Sequence, residues 1–155
     1  MSNDSFSEYA RKLALLRKEI SEIHAILRKK KKNFNENQQK IYDFIIAKKD
    51  IIQFEIHGNQ YFIKKGNKDK GFMHILLKHY GEECDGRLTA RNILNMATTI
   101  KMGSVYQSEK NDYLSISNTF NNERFMIVLS KDRNGHWVVT YYSVDKNGVG
   151  QGDCS

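Results

Sequence analysis

The sequence predicts an α+β domain in which an N-terminal helical segment and two further helices accompany an antiparallel sheet. Three observations lead to this fold class. Apolar residues recur at helical spacing from Phe6 to Leu27, an alternation of period two begins after Asp50, and strand-like runs follow Gly103. Helices and strands that are segregated along a chain are typical of α+β folds, and we expect the helices on one side of the sheet.

Length and composition are those of a folded, soluble protein. The chain has 155 residues, of which 39% are hydrophobic and 28% are charged, and this suits one domain with a hydrophobic core. Two cysteines are too few for a disulfide scaffold. No run approaches the roughly 18 apolar residues of a membrane span, and the first residues lack a signal-peptide pattern. We therefore expect a cytoplasmic protein with neither a signal peptide nor a transmembrane segment.

The predicted N-terminal helix carries a narrow apolar seam. Its members follow each other at alternating steps of three and four positions: Phe6, Tyr9, Leu13, Leu16, Ile20, Ile23 and Leu27. This spacing is typical both of a coiled coil and of a helix docked lengthwise on its own domain. The seam therefore predicts either a homodimer formed through this helix or packing within the chain, and the sequence favours neither.

The segments that follow alternate between helical and strand-like patterns. A lysine-rich run at 29–40 precedes a second helical stretch at 41–49. A β-hairpin over 51–65 turns at 57–59, where glycine and asparagine occur. A short helix with two histidines, within residues 71–81, comes next.

The second half of the chain is mostly strands. A glycine-rich acidic loop at 81–86 leads into a helix from Thr89 to about Met102, with Thr89 as its cap. Four strands follow, SVYQS, DYLSIS, ERFMIVLSKD and HWVVTYYSVD, and the turn DRNG joins the last two. We predict three parts: a helical extension at 1–49, an α+β domain at 50–147 and a flexible tail at 148–155.

The net charge limits the class of partner. The chain carries 25 Lys and Arg against 18 Asp and Glu, which gives a net charge of +7. A basic surface favours polyanions such as nucleic acid, an anionic membrane surface or an acidic protein. A role in solubility explains the same excess equally well, so a function has to be argued from a specific site.

The stretch GFMHILLKHYG places two histidines in a short apolar helix. At about 100° per residue, His79 shares the apolar stripe, whereas His74 and Lys78 lie on a different face. Two zinc ligands on one helix normally stand three or four positions apart, and these histidines stand five apart. We therefore predict no metal site and no cofactor. A histidine on an apolar stripe is commonly a core residue, and this explanation applies to His79 as well.

His74 is a candidate for acid–base catalysis on a phosphate ester. It stands one turn before Lys78 and close in sequence to four further lysines, namely Lys64, Lys65, Lys68 and Lys70. Histidine titrates near neutrality and serves as a general base or acid, while nearby cations stabilise the transition state of phosphoryl transfer. RNA carries its own nucleophile, the 2′-hydroxyl group, so a ribonuclease built in this way needs no metal.

The order of the motifs resembles that of a known nuclease superfamily. KGFMHILLKHYG is followed by LTARNILNMATTIKMGSVY, then by ERFMIVLSKD and HWVVTYYSVD. This order is similar to the phage-type branch of the barnase, EndoU, colicin and RelE-like nucleases, the BECR fold. In that branch a Gly-x-x-His-Ile-x-x-x-His helix precedes a helix ending in Ile-x-x-Gly and a final strand with Thr-x-Tyr. The resemblance covers residues 50–145 and leaves the N-terminal helices outside.

The resemblance implies a barnase/EndoU/RelE-like fold and a metal-independent endoribonuclease, often a toxin deployed by phages or bacteria. Ile100 and Gly103 match the end of the second helix. The candidate catalytic residues that it implies are His74, His79, Arg124, Thr140 and Tyr142. Small residues are usual in the family where Tyr141 stands, so either tyrosine is a candidate to face the cleft. The lysines expected to bind RNA are Lys65, Lys70, Lys78 and Lys101.

These residues predict RNA cleavage by attack of the 2′-hydroxyl group, which yields a 2′,3′-cyclic phosphate and a 5′-hydroxyl end. RNA and an acidic antitoxin or immunity protein are the expected partners. The seam and the basic charge support a rival hypothesis, a non-catalytic, coiled-coil dimeric protein that binds nucleic acid or another partner. A site shared by residues 74, 79, 124 and 140 favours the enzyme, and scattered or fully packed side chains favour the rival.

Overall fold

A six-stranded sheet forms the centre of the fold. The computed structural model describes residues 2–47, 49–81, 86–107, 113–120 and 122–144. The strands are β1 (Ile51–Ile56), β2 (Asn59–Lys64), β3 (Ser104–Gln107), β4 (Tyr113–Phe120), β5 (Glu123–Asp132) and β6 (Gly135–Val144). Their order across the sheet is β1-β2-β6-β5-β4-β3. Neighbouring strands are antiparallel except β2 and β6, which are parallel.

Five helices accompany the sheet within the described ranges. They are α1 (Ser2–Lys29), α2 (Glu36–Ile46), α3 (Phe72–His79), α4 (Ala90–Leu94) and α5 (Met96–Met102). The predicted α+β class is therefore confirmed, but the prediction of an antiparallel sheet is wrong in one respect, because β2 and β6 are parallel. The tail at 148–155 and most of the acidic loop, residues 82–85, lie outside the described residues.

The predicted hairpin is confirmed with its turn. β1 and β2 pair from Ile51 with Lys64 to Ile56 with Asn59. The two residues between them have positive φ angles, 52° at His57 and 82° at Gly58. Two consecutive positive φ angles are the mark of a type I′ turn, which matches the twist of the flanking strands. Glycine at the second position adopts this conformation without steric cost.

The helix predicted from Thr89 to Met102 is interrupted at Asn95, so that prediction is wrong in one respect. Thr89 caps α4 as expected, because its side chain accepts a hydrogen bond from the backbone N–H of Asn92. Asn95 then ends α4 and begins α5. Its side-chain oxygen accepts a hydrogen bond of 2.8 Å from Gln38 on α2. Asparagine has a low helix propensity, and this tertiary bond stabilises the interruption.

One face of the sheet is buried under α4 and α5, and we call it the core face. Its side chains include Ile116, Phe125, Ile127, Leu129, Val138 and Tyr141, all of them buried. Residues opposite each other on neighbouring strands share a face, and Ile127 pairs with Tyr141 while Leu129 pairs with Val138. We call the opposite side the outer face.

The N-terminal seam packs within the chain. Leu16 and Ile20 are fully buried and belong to the same hydrophobic core as the sheet. Tyr9, Leu13 and Ile23 pack against that core, whereas Phe6, at the start of the seam, is exposed. The packing therefore crosses the boundary predicted at residue 49. The spacing that suggested a coiled-coil dimer is accounted for by α1 docking on α3 and α4.

Two adjacent leucines on α1 test this docking. Leu16 is 0% exposed and Leu15 is 43% exposed. We expect Leu16→Ala to lower the free energy of unfolding by about 2–5 kcal/mol, because it removes buried methyl groups and leaves a cavity. Leu15→Ala should cost less than about 1 kcal/mol. Urea unfolding followed by circular dichroism measures both values, and equally small effects would contradict docking of α1 within the chain.

Within the described ranges, no helix combines the length and the apolar character that a membrane crossing requires.

Candidate active site

The edge of β6 sets the position of α3. β2 pairs with β6 at only two positions, Tyr61 with His136 and Phe62 with Trp137. Beyond them the Val139 carbonyl accepts a hydrogen bond of 2.8 Å from the N–H of Gly71, at the start of α3. The N–H of Ser143 donates to the Gly86 carbonyl at 3.1 Å, after the end of α3. The chain is therefore hydrogen-bonded to β6 both before and after α3, which places the histidines of the helix beside this strand.

The two histidines of α3 meet, although helical spacing alone places them on different faces. The ring centroids of His74 and His79 are 5.9 Å apart, with the ring planes at 79°. Helical side chains tilt toward the N-terminus of their helix. His79 is the last residue of α3, so its ring leans back over the turn that contains His74. The two residues still lie on different faces, since His79 is buried and His74 is half-buried, but their rings meet at the edge.

A hydrogen bond to a backbone carbonyl determines which ring nitrogen of neutral His74 carries the proton. Its Nδ1 lies 3.0 Å from the carbonyl oxygen of Lys68, in the loop before α3. A carbonyl oxygen only accepts hydrogen bonds, so Nδ1 carries a proton. In the neutral ring, Nε2 is then the unprotonated nitrogen. The half-buried ring therefore presents a nitrogen that can accept a proton from a substrate.

His79 is held in a closed pocket of side chains. It is 6% exposed, and its ring centroid lies 5.4 Å from that of Tyr142. Gly86 has φ +67°, and a Cβ there would lie 3.0 Å from His79 Nδ1 and 3.3 Å from Tyr142 Cβ. A side chain at position 86 would therefore press on both rings. The glycine allows the backbone to pack directly against the pair.

The two tyrosines of β6 point to opposite faces of the sheet. Tyr141 is 1% exposed on the core face, where its hydroxyl donates to the Asn92 carbonyl at 3.0 Å. Burial raises the pKa of Tyr141, so its hydroxyl stays protonated as a donor. Tyr142 is opposite Met126 on the outer face, beside His79. Tyr142, and not Tyr141, therefore shares a face with the histidine.

These positions predict different effects for two otherwise identical changes. Tyr141→Phe should lower the free energy of unfolding by about 1–3 kcal/mol, because its hydroxyl bonds to the Asn92 carbonyl and to Thr99 are lost inside the core. Tyr142→Phe should leave the free energy of unfolding nearly unchanged, and the RNA cleavage expected from the sequence should fall instead. Urea unfolding and cleavage rates of both variants measure the contrast. Loss of cleavage in a stable Tyr141→Phe protein would contradict the assignment.

Arg124 and Thr140 lie on the same outer face as Tyr142. On β6, Thr140 is opposite Val128 and Tyr142 is opposite Met126. Arg124, Met126 and Val128 alternate along β5, so their side chains point the same way. Arg124 is diagonal to Tyr142, a separation that a long side chain spans.

Arg124 and Thr140 both have hydrogen-bonding groups available for a ligand. Arg124 Nε donates to Ser117 Oγ at 2.8 Å, which orients the guanidinium group and uses one of its five donors. Thr140 Oγ1 is buried and has no hydrogen-bond partner among the described residues. Buried hydroxyl groups are nearly always bonded, so this one fits a group that a ligand would supply.

A β-bulge explains how this face is assembled. Val128 pairs with Thr140 and Leu129 with Val138, which leaves Val139 as an extra residue on β6. Without the extra residue, Trp137 and Thr140 would point to opposite faces. With it, Trp137, Thr140 and Tyr142 all face outward. The carbonyl of the bulged Val139 is the group that accepts from Gly71.

Of the four lysines predicted to bind RNA, Lys70 lies near the outer face and Lys78 lies on α3. Lys70 reaches over the sheet to Tyr113 on β4, where its Nζ lies 3.0 Å from the hydroxyl oxygen. Tyr113 is opposite Ser130, two residues after Val128, and therefore points outward. Lys78 lies on α3 one turn after His74, and it is half-buried.

The other two lysines lie elsewhere. Lys65 Nζ is 6.0 Å from the ring centroid of Tyr9 on α1, and burial raises the pKa of that tyrosine to about 12. Lys101 is on α5, which packs on the core face, and its carbonyl accepts from His57 at the hairpin tip. Lys101 therefore lies away from the histidines. Lys65 lies in the loop before α3, where its carbonyl accepts a hydrogen bond of 2.8 Å from the N–H of Met73, but its side chain lies against Tyr9.

Surface cavities lie beside α1, and one of about 370 Å³ adjoins His74 through Lys68 and Met73. One of about 550 Å³ lies between α1 and the chain after α3, lined by Arg11, Lys12, Leu15, Glu19, Tyr80, Gly81, Arg87, Leu88 and Thr89. Another of about 110 Å³ surrounds Tyr9 and Lys65. Arg124, Thr140 and Tyr142 line none of these cavities, so their part of the candidate site is an open sheet surface. Such a surface suits an extended polymer better than a small molecule.

Sequence reasoning missed two contributors to the site. The Lys68 carbonyl and Gly86 both come from loops, whereas Lys64, already named beside His74, lies with its Nζ 5.1 Å from the ring centroid of Trp137. The glycine in the acidic loop was visible as a turn residue, but its contact with His79 depends on the tertiary fold. Backbone carbonyls leave no signal in a sequence at all.

Within the described residues, no group of three His, Cys, Asp or Glu side chains is arranged to hold a metal ion. Cys84 and Asp85, which follow α3 in the acidic loop, lie outside those residues. No protein-family model and no curated protein matches the chain. The likeness to the nuclease superfamily therefore depends on the motifs and their order alone.

Proposed function

We propose that the protein is a metal-independent endoribonuclease. The observation that carries the proposal is the meeting of His74, His79 and Tyr142 at the edge of β6, on the face that also carries Arg124 and Thr140. Acid–base groups and a cation are what transesterification of RNA requires, because the nucleophile belongs to the substrate. The net charge of +7 favours a polyanionic substrate.

His74 is the proposed general base. Its Nε2 takes the proton of the 2′-hydroxyl group while that oxygen attacks the adjacent phosphorus atom. The P–O5′ bond breaks, and the leaving oxygen takes a proton from the acid. The products are a 2′,3′-cyclic phosphate and a 5′-hydroxyl end. General acid–base catalysis of this kind contributes about 10²- to 10⁴-fold to a rate.

His79 and Tyr142 are proposed to supply or orient the proton for the leaving oxygen. Their rings are in contact, so a phenol hydroxyl and an imidazole are available at one place. The contact of His79 with His74 places the proposed acid groups next to the proposed base. A scissile phosphate on the accessible side of this cluster would contact the half-buried His74 and Tyr142, while the buried His79 would orient Tyr142.

Arg124 and Thr140 are proposed to bind the phosphate. The oxygens of the phosphorane-like transition state carry more negative charge than those of the ground state. A guanidinium group oriented by Ser117 stabilises that charge without reorganisation. The unpartnered hydroxyl of Thr140 would donate to a non-bridging oxygen.

The biological setting belongs to the same proposal. A toxin of phage or bacterial origin, acting on RNA in the cytoplasm, would need an acidic antitoxin or immunity protein to protect its own cell. A basic sheet face is a natural target for such an inhibitor, because charge complementarity speeds association.

The proposal is tested with purified protein and total bacterial RNA in the presence of EDTA. We expect discrete fragments that end in 2′,3′-cyclic phosphates and begin with 5′-hydroxyl groups. Cleavage that requires added Mg²⁺ or Mn²⁺ would contradict the metal-independent mechanism. A folded wild-type protein that cuts no RNA would favour the rival, a non-catalytic binding protein.

A further inference from the structure

A row of side chains crosses the outer face beside the candidate active site. Trp137 on β6 is opposite Ser130 on β5, and Ser130 is opposite Tyr113 on β4. Two aromatic rings therefore flank a small serine on three neighbouring strands. All three residues are half-buried, so the rings are in part accessible from the surface.

The spacing of this row suits one planar base. Neighbouring strands lie about 4.8 Å apart, so the backbones of Trp137 and Tyr113 are about 10 Å apart. Side chains on strands stand roughly perpendicular to the sheet. A base in contact with a ring on each side needs about 7 Å between the rings. Serine at position 130 is small, whereas a large side chain there would occupy the space between the two rings.

Two lysines accompany the two rings. Lys64 Nζ lies 5.1 Å from the Trp137 ring centroid, and Lys70 Nζ lies 5.6 Å from the Tyr113 ring centroid. β2 and β5 flank β6 on opposite sides, so Lys64 approaches Trp137 from the side away from Ser130. Lys70 comes from the loop before α3 and reaches Tyr113, where its Nζ lies 3.0 Å from the hydroxyl oxygen.

We propose that Trp137, Ser130 and Tyr113 form a base-stacking subsite for single-stranded RNA. Lys64 and Lys70 contact the phosphates of the nucleotide whose base lies between the rings. Every base has an aromatic face, so stacking of this kind tolerates any sequence and requires an unpaired strand. This subsite rests on the proposal that RNA is the substrate of the neighbouring histidine site.

The subsite lies at a fixed distance from the proposed chemistry. On the outer face of β6, Thr140 (opposite Val128) is the next residue after Trp137 (opposite Ser130). Tyr142 (opposite Met126) is the next after Thr140. Two residues of a strand rise about 6.7 Å, so the stacked base lies roughly 13 Å from Tyr142. The subsite therefore holds a nucleotide that flanks the scissile phosphate and is not the one being cut.

Binding of an RNA that cannot be cut tests the subsite separately from catalysis. The probe is a fluorescent 2′-O-methyl oligonucleotide, whose blocked 2′-oxygen prevents attack, and the full chain is titrated into it. We expect Trp137→Leu to weaken binding about 10- to 100-fold, because stacking on one face is lost. Trp137→Phe should retain most of the affinity, and duplex RNA of the same sequence should bind more weakly than the single strand.

Ser130 provides a matched pair of variants. Ser130→Leu fills the space between the rings and should weaken binding about 10-fold or more, whereas Ser130→Ala leaves the space open and should bind like the wild type. Circular dichroism verifies that each variant is folded. Unchanged binding by folded Trp137→Leu and Ser130→Leu proteins, or equal affinity for single strand and duplex, would overturn the subsite.

The binding result separates the two proposals. If the wild type binds the single strand through Trp137 but cuts no RNA, the subsite stands and the nuclease proposal fails. If the wild type cuts RNA but Trp137→Leu binds normally, the nuclease proposal stands and the subsite fails.

Discussion

His74→Ala should lower the rate of RNA cleavage about 10²- to 10⁴-fold. The change removes Nε2, the nitrogen that the hydrogen bond from Nδ1 to the Lys68 carbonyl leaves free to take a proton. The side chain is half-buried at the edge of the sheet, so its loss should affect the free energy of unfolding much less than the rate. Cleavage of a defined oligonucleotide under single-turnover conditions measures the effect.

His57 supplies a matched control histidine. It is exposed at the tip of the β1–β2 hairpin with φ 52°, a conformation that asparagine adopts readily. His57→Asn should therefore fold and cleave RNA at the wild-type rate. Equal activity of His74→Ala and the wild type would remove the proposed base, and equal loss in His57→Asn would point to a general effect of histidine removal.

Arg124→Gln should lower the rate of cleavage about 10²- to 10³-fold, the typical cost of one missing donor to a developing oxyanion. Arg124→Lys should restore only part of the rate, because an ammonium group lacks the fork of donors that a phosphate accepts. The loss should appear in kcat more than in KM, since the additional charge exists only in the transition state. Steady-state kinetics on a short RNA measures the split.

Arg91 is the control for loss of one guanidinium group. It is exposed on α4, which packs on the core face, so Arg91→Gln changes the net charge by the same amount at a distance from the site. We expect at most a small change in KM from this variant. Similar losses in Arg91→Gln and Arg124→Gln would indicate that overall charge, and not a phosphate site at Arg124, supports activity.

The elements of the fold were readable from local patterns. The period-two runs predicted β1, β2, β5 and β6, and the type I′ turn follows from glycine at position 58, which adopts a positive φ without strain. α3 and the cap at Thr89 were predicted from spacing and from capping chemistry. These features depend on neighbours in sequence, and for that reason a single sequence contains them.

The assembly of the candidate site depends on tertiary contacts that no local pattern contains. The bulge at Val139 shifts the alternation of β6, which decides that Tyr141 is buried and Tyr142 faces His79. The contact between the rings of His74 and His79 does not follow from their helical spacing. The positions of Lys65 and Lys101 depend on how α1 and α5 pack, and proximity in sequence could not predict them.

The sequence pattern also does not predict where α1 docks. Steps of three and four positions are the same for a dimer seam and for an internal interface. Only the burial of Leu16 and Ile20 in the core of the same chain distinguishes them. The helix thereby supports α3 from the side opposite to the sheet edge, and this links the N-terminal segment to the position of the histidines.

Cleavage of two oligonucleotides that differ in one oxygen atom tests the central claim most directly. The first is an RNA that contains a mapped cleavage position, and the second has a 2′-deoxyribose at that position alone. In EDTA, the account predicts that the wild-type protein cuts the first to a 2′,3′-cyclic phosphate and leaves the second intact at that position. Cleavage of both oligonucleotides there, or of neither, would contradict a ribonuclease that uses the 2′-hydroxyl group of its substrate.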